Sequence, residues 1–281
     1  TGAVGAVSDQ NSLVGSASTD GVGAGGIYDL YDSTAGKYNY LVLSPNWDAT
    51  KGAVTFGSGS AGISGIVSAG NSFVGDIAGD KVGSGGVQQL YGNGYSSYFY
   101  VIKSPLWHGS AGAVTWLDGS GGGANGVVAA SNSLVGSLAN DQVGSGGYYQ
   151  LSSGNYLVRS PNWGGGKGAV TFMETSLGVT GAVSELNSLV GSASTDAVGS
   201  GGIQNISDNG NYNYLVFSPN WGGTFGAVTY GSATAGISGV VSASNSFVGT
   251  QAGDRVGSGG ITTLYNSGGY DYLIKSPLWH G

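Results

Sequence analysis

Apolar and polar positions alternate along this chain in short runs of three to six residues, and each run is bounded by Gly, Asn, Asp or Ser. Tyr156-Leu157-Val158 and Ile203 to Ile206 are typical runs. Short β-branched and aromatic runs between turn residues are the signature of strands. No segment carries the 3.6-residue apolar period of an amphipathic helix. The pattern therefore predicts an all-β protein.

The runs recur. Ser-Pro-x-Trp occurs five times, at 44–47, 104–107, 160–163, 218–221 and 276–279. Asn-Ser-(Leu/Phe)-Val-Gly begins at Asn11, Asn71, Asn132, Asn187 and Asn245, so successive copies lie 60, 61, 55 and 58 residues apart. Asp-x-Val-Gly-(Ser/Ala)-Gly-Gly begins at Asp20, Asp80, Asp141, Asp196 and Asp254. Gly-Ala-Val-Thr-aromatic occurs four times, at 52–56, 112–116, 168–172 and 226–230. A fixed period of this length marks a repeat architecture. It divides the chain into one tandem-repeat domain with copies at approximately 1–56, 57–116, 117–172, 173–230 and 231–281. The last copy stops where its fourth strand is expected.

Each copy reads as four strands. The first is one continuous strand through Asn-Ser-Leu-Val (126–136 in copy three). The second follows the Gly-Gly pair, the third precedes Ser-Pro, and the fourth is Gly-Ala-Val-Thr-aromatic. Insertions such as 33–37 fall between the second and third strands, where a hairpin tip accepts them. Four strands in about 58 residues is the size of a propeller blade, so the expectation is a five-bladed β-propeller. The alternative is an open β-repeat array or a β-solenoid. Stacked neighbours or ring closure would hide edges that few charges guard.

Copy one matches copy four and copy two matches copy five, giving a super-repeat of about 175 residues. The missing last strand suggests a window cut from a longer array, or head-to-tail assembly in which a neighbouring chain supplies the strand. Gly2-Ala3-Val4 reads as a short remnant of such a strand. The first residue is Thr1 and the only Met is Met173, so a processed or excerpted chain is expected.

Composition narrows the function. Charged residues are 8% of the chain, and the eight basic residues stand singly against a net charge of −7. Phosphate binding needs clustered Lys and Arg, so nucleic acid is not expected as a partner. There is no run of 18 apolar residues, so no transmembrane segment is expected. Cys is absent, which removes disulfides and thiolate chemistry. The 58 glycines sit at fixed positions between apolar runs, as turn residues of an ordered array.

The frames Asn-Ser-Leu-Val-Gly-Ser, Asp-x-Val-Gly-Ser-Gly-Gly, Asn-Tyr-Leu-Val-x-Ser-Pro-Asn-Trp and Gly-Ala-Val-Thr-Phe together resemble repeats of unknown function. Those repeats occur in very large bacterial surface proteins of the filamentous-haemagglutinin type. The resemblance covers essentially the whole chain. It implies export, an extracellular or cell-surface location, and adhesive or structural work, and it carries no catalytic residues to transfer.

The repeated tryptophans Trp47, Trp107, Trp163, Trp221 and Trp279 read as packing residues between neighbouring repeats, with a sugar-stacking platform as the rival. The repeated Asp20, Asp80, Asp141, Asp196 and Asp254 read as turn caps that accept backbone N–H groups. Calcium is the weaker reading there, because no repeated second carboxylate accompanies them. Gly21 to Gly26 matches the dinucleotide-binding spacing but lacks the following helix. His108 and His280 occupy equivalent positions a repeat vector or more apart, so one metal ion shared between them is not expected. No Ser-His-Asp arrangement recurs, and Asp9, Asp118, Glu174 and Glu185 form no repeated acidic pair. Lys103, Arg159 and Lys275 precede Ser-Pro where Leu43 and Phe217 stand in other copies, which suggests a solvated position.

The expected function is thus a structural or adhesive repeat protein without a cofactor, partnered by itself or by neighbouring repeats. It would serve as a surface spacer, fibre or sheath subunit and not as an enzyme. A multivalent lectin-like propeller that binds glycans is the alternative.

Overall fold

The computed structural model describes residues 5–92, 98–121, 125–208, 210–266 and 269–280. The protein is all-β with five tandem repeats, and among the described residues its strands form open sheets and no closed barrel. Gly2-Ala3-Val4 lies outside the described residues. The chain divides into two compact units, 1–135 and 136–281.

In the first unit the strands are β1 (Leu13–Val14), β2 (Ile27–Asp32), β3 (Lys37–Ser44), β4 (Ala53–Gly57), β5 (Gly65–Ile66) and β6 (Ser72–Val74). They continue with β7 (Val87–Tyr91), β8 (Tyr98–Ser104), β9 (Ala113–Asp118), β10 (Gly126–Val127) and β11 (Leu134–Val135). One sheet runs β2–β3–β4–β6–β10. Its first three strands come from copy one, β6 from copy two and β10 from copy three. The first four are antiparallel neighbours, and β10 pairs parallel to β6. A second sheet sets β7, β8 and β9 of copy two beside β11 of copy three. β1 and β5 form a parallel pair.

The second unit repeats the scheme. Its strands are β12 (Tyr148–Gln150), β13 (Tyr156–Ser160), β14 (Ala169–Met173), β15 (Gly181–Ala182), β16 (Ser188–Val190) and β17 (Gly202–Asp208). They continue with β18 (Asn211–Ser218), β19 (Ala227–Ser232), β20 (Gly239–Val240), β21 (Ser246–Val248), β22 (Ile261–Asn266) and β23 (Gly269–Ile274). The sheets are β12–β13–β14–β16–β20, β17–β18–β19–β21, and the hairpin β22–β23.

Two expectations need correction. A copy is not a self-contained four-stranded blade, because its Asn-Ser-x-Val strand completes the sheet of the copy before it. Nor is 126–136 one strand: β10 and β11 are separate and pair in different sheets. The break lies at Asn132. Its side-chain oxygen accepts the Ala129 N–H at 3.0 Å, and its amide donates to the Val127 carbonyl at 2.9 Å. A side chain bonded back to its own backbone competes with ladder pairing and bends the chain. Asn11, Asn71, Asn187 and Asn245 make the same pair of bonds.

The Gly-Ala-Val-Thr strand is buried on both faces. Ala53, Val54 and Thr55 are fully buried, because β4 lies inside its sheet and side chains of the next repeat cover it. Val54 belongs to a core with Leu30, Leu41, Phe73, Tyr100 and Ile102; Val170 sits equivalently with Leu157, Leu189, Tyr214 and Val216 in the second unit. At about 25 cal/mol per Å² of apolar surface, burial on this scale is the main stabilising term. The buried hydroxyls pair across the ladder, Thr55 with Ser72 and Thr171 with Ser188, both at 2.7 Å. Gly52 must be glycine for two reasons: its φ is +80°, and a Cβ there would lie 2.2 Å from the Val82 nitrogen.

Candidate functional site

The feature that recurs in every copy is a junction at the Ser-Pro-x-Trp frame. After the proline the chain makes one tight turn, at Trp47–Thr50, Trp107–Ser110, Trp163–Gly166 and Trp221–Thr224. Residues inside these turns have positive φ: Asp48 +43°, Ala49 +52° and Thr50 +70° in copy one. Left-handed backbone costs an ordinary L-residue about 1–2 kcal/mol, and copy three meets it with Gly164, Gly165 and Gly166.

The repeated aspartate holds this turn in place. One oxygen of Asp20 accepts the N–H groups of Ser16 (2.7 Å) and Ala17 (3.0 Å), and the other accepts that of Asp48 (3.1 Å). Asp80, Asp141, Asp196 and Asp254 reproduce the arrangement, their far oxygens taking the N–H of His108, Gly164, Gly222 and His280. All five carboxylates are buried. Burial works against the charge at Asp20, but the N–H groups of Ala17, Asp48 and Ser16 outweigh it and hold the pKa below the ordinary value. Asp254 is lowered in the same way, with burial opposed by the N–H groups of His280, Gln251 and Thr250. Carboxylates so engaged are anchors of backbone.

The tryptophan fills the space behind the turn. Trp47 packs against Ala53, Val67 and Val74, and Trp107 lies in the core of the first unit. Trp163 and Trp221 are half-buried, and Trp279 is exposed. The indole N–H groups of Trp47, Trp107, Trp163 and Trp221 are buried without an acceptor. The serine that opens the frame also points inward: Ser44, Ser104, Ser160, Ser218 and Ser276 each accept an N–H from the Gly-Gly turn at 3.1 Å. The dinucleotide-like run at 21–26 is part of that turn in copy one.

Tyrosines pin one repeat to the next within each unit. The Tyr100 hydroxyl accepts the Tyr31 N–H at 2.6 Å, and the Tyr272 hydroxyl accepts the Ser207 N–H at 2.7 Å. Burial pushes the Tyr100 phenol up to about 12. Of the three basic residues before Ser-Pro, Arg159 donates to the Gly199 carbonyl at 3.2 Å, so that side chain bridges copies three and four.

Copy two departs from the common junction. Ser16, Ser137, Ser192 and Thr250 stand four residues before the repeated aspartate, but Asp76 stands there in copy two. Its carboxylate meets His108 Nε2 at 2.7 Å, and the imidazole lies flat on Trp107 with centroids 3.7 Å apart and planes at 5°. Burial raises the Asp76 pKa and the His108 hydrogen bond lowers it, with a net lowering. Asp76, Asp80 and His108 bring one ligand atom each within 4.8 Å of one another. His280, the equivalent of His108, meets Thr250 Oγ1 at 3.2 Å. His108 and His280 therefore belong to separate junctions. Reading by frames passes over Asp76; the available signal is its departure from Ser/Thr in the same copy that carries His108.

A search of curated proteins finds no match to the chain. A family model described as "Repeat of unknown function (DUF5650)" matches residues 1–24, 35–84, 96–145, 150–200 and 208–258. With most of the chain matched in five segments, the protein belongs to this family of repeats of unknown function.

Proposed function

We propose that this chain is a structural repeat array, a spacer, fibre or sheath unit of an extracellular or cell-surface protein, with no catalytic role. The observation that carries the reading is the use of the repeated polar residues. The Asp, Asn, Ser and Thr of the frames are spent on backbone and on one another, and strands are handed from one copy to the previous copy's sheet. Such an array lengthens by adding copies without a new fold. The resemblance to filamentous-haemagglutinin-type repeats supports the surface location.

An open array is proposed over a closed five-bladed propeller, because the sheets begun in copies one to four are completed by strands from copies further along the chain. Head-to-tail growth by strand addition belongs to the same proposal, since strands of one copy already pair with those of another. The burial of Trp47 and Trp107 weighs against tryptophan as a glycan platform. Electron microscopy of the purified protein at several concentrations tests this reading. Rods or filaments are the expected outcome, and discrete five-fold rings would sink it.

A further inference from the structure

The junction of copy two combines a histidine with two carboxylates, where copy five has His280 and Asp254 beside Thr250. In copies one, three and four, a serine hydroxyl adds a bond to the repeated carboxylate, at 3.2 Å from Ser16, 3.5 Å from Ser137 and 3.1 Å from Ser192. Asp76 has no hydroxyl to give, so in copy two a second carboxylate stands where those serines meet the repeated one. Asp80 otherwise makes the standard contacts: its Oδ2 takes the N–H of Asp76 (3.2 Å) and Ile77 (3.1 Å), and its Oδ1 that of His108 (2.8 Å). A second carboxylate beside a buried one raises the local negative potential, which favours a cation.

His108 is oriented for the same spot. Its ring is fixed by stacking on Trp107, itself only 5% exposed, so that Nε2 faces Asp76 Oδ1. Asp80 is buried and anchored on three backbone N–H groups, while Asp76 lies on the solvent side. Two ligands are thus held by the fold and the third can adjust. Donors that share one ion at about 2.0–2.2 Å stand about 3–3.5 Å apart, a spacing that adjustment of the exposed Asp76 side chain brings within reach. One imidazole with two carboxylates suits a divalent first-row transition ion of the zinc type; calcium calls for six to eight oxygens.

We propose that Asp76, Asp80 and His108 form a binding site for one Zn²⁺-class ion, with the remaining coordination positions open to solvent. The site is specific to copy two, since Thr250 replaces the exposed carboxylate in copy five. Its test is a calorimetric titration of the purified, chelator-treated protein with zinc chloride, run beside three variants. Asp76→Ser and His108→Gly install residues that equivalent positions already carry, Ser16 and Gly164 among them, so the junction keeps its fold. The expected result is one saturable site per chain, weakened at least tenfold by either variant and unchanged by His280→Gly. Long-range proton–nitrogen spectra should show the imidazole shift at His108 and not at His280. The absence of saturable binding would mean a hydrogen-bonded His–Asp pair only, and would overturn the assignment. So would Asp76→Ser binding zinc as tightly as the parent, or an equal imidazole shift at His280.

Discussion

Trp107 and Trp279 stand in the same hexapeptide, Ser-Pro-Leu-Trp-His-Gly, yet the first is 5% exposed and the second 56%. Both carry a histidine stacked on the indole, and both follow a strand paired with a hairpin partner. What differs is the cover. Around Trp107, β8 pairs with β9, and β9 with β11 of the following copy, whereas among the described residues β23 pairs with β22 alone. Phe73 and Phe247 make the same contrast at 4% and 72% exposed: β10 lies beside Phe73 on β6, while β21 ends its sheet. Each frame is thus half of a contact whose other half arrives from later copies. That is the one-dimensional energetics of a repeat array, an intrinsic term plus a neighbour term.

The largest effect that can break this comparison is deletion of the two indoles. Trp107→Ala is expected to cost about 3–5 kcal/mol, the range for a large aromatic removed from a core. Trp279→Ala should cost less than about 0.5 kcal/mol, as an exposed substitution does. Urea denaturation of both variants checks it. Similar losses would mean that the motif stabilises itself, and the neighbour account would fail.

Next in size is the carboxylate anchor. Asp20→Ala leaves three N–H groups without their acceptor and is expected to cost about 1–3 kcal/mol. The same contacts set a pH dependence. The folded pKa of Asp20 and of Asp254 is depressed, so their contribution is complete above the unfolded value and is lost as pH falls through the folded one. Stability should therefore hold at neutral pH and decline as pH falls below about 4, the ordinary aspartate value, toward the lower folded one. The slope should be shallower in Asp20→Ala. Equal acid slopes in parent and variant would show that the carboxylate bears no linked proton.

Much of this architecture was readable from the residues, and the boundary is instructive. The strands before Ser-Pro and at Gly-Ala-Val-Thr announce themselves by alternation and by the glycine and proline that bound them. The exchange of β6 into the sheet of copy one does not, because pairing between segments of different copies leaves no local trace. The split between β10 and β11 depends on Asn132 bonding back to Val127, a choice that a β-competent run does not reveal. The aspartates could be read as turn caps, since Asp before a glycine-rich turn has few other uses. Their second partner, the N–H one residue beyond the tryptophan, lies 23 to 28 residues further along, and only the fold brings it near. The Asp76–His108 contact spans 32 residues and is likewise a product of the junction.

The smallest effect concerns the turn itself, and it separates neighbour contacts from local strain. Copy one runs Asp48-Ala49-Thr50 through left-handed backbone, where copy three has three glycines. Ala49 adopts φ +52°, which crowds its Cβ against the peptide that follows. Ala49→Gly removes that crowding, worth about 1–2 kcal/mol, but gives the unfolded chain extra freedom worth about 0.4–1 kcal/mol. The net expectation is a gain of about 0.5–1 kcal/mol. Gly165→Ala in copy three should produce a loss of similar size, since a Cβ there meets no atom within 4 Å and only the φ of +71° opposes it. Opposite signs at these two equivalent positions would place the strain in the backbone of the turn. If both variants were neutral, the left-handed turn would be set by the aspartate and tryptophan contacts alone.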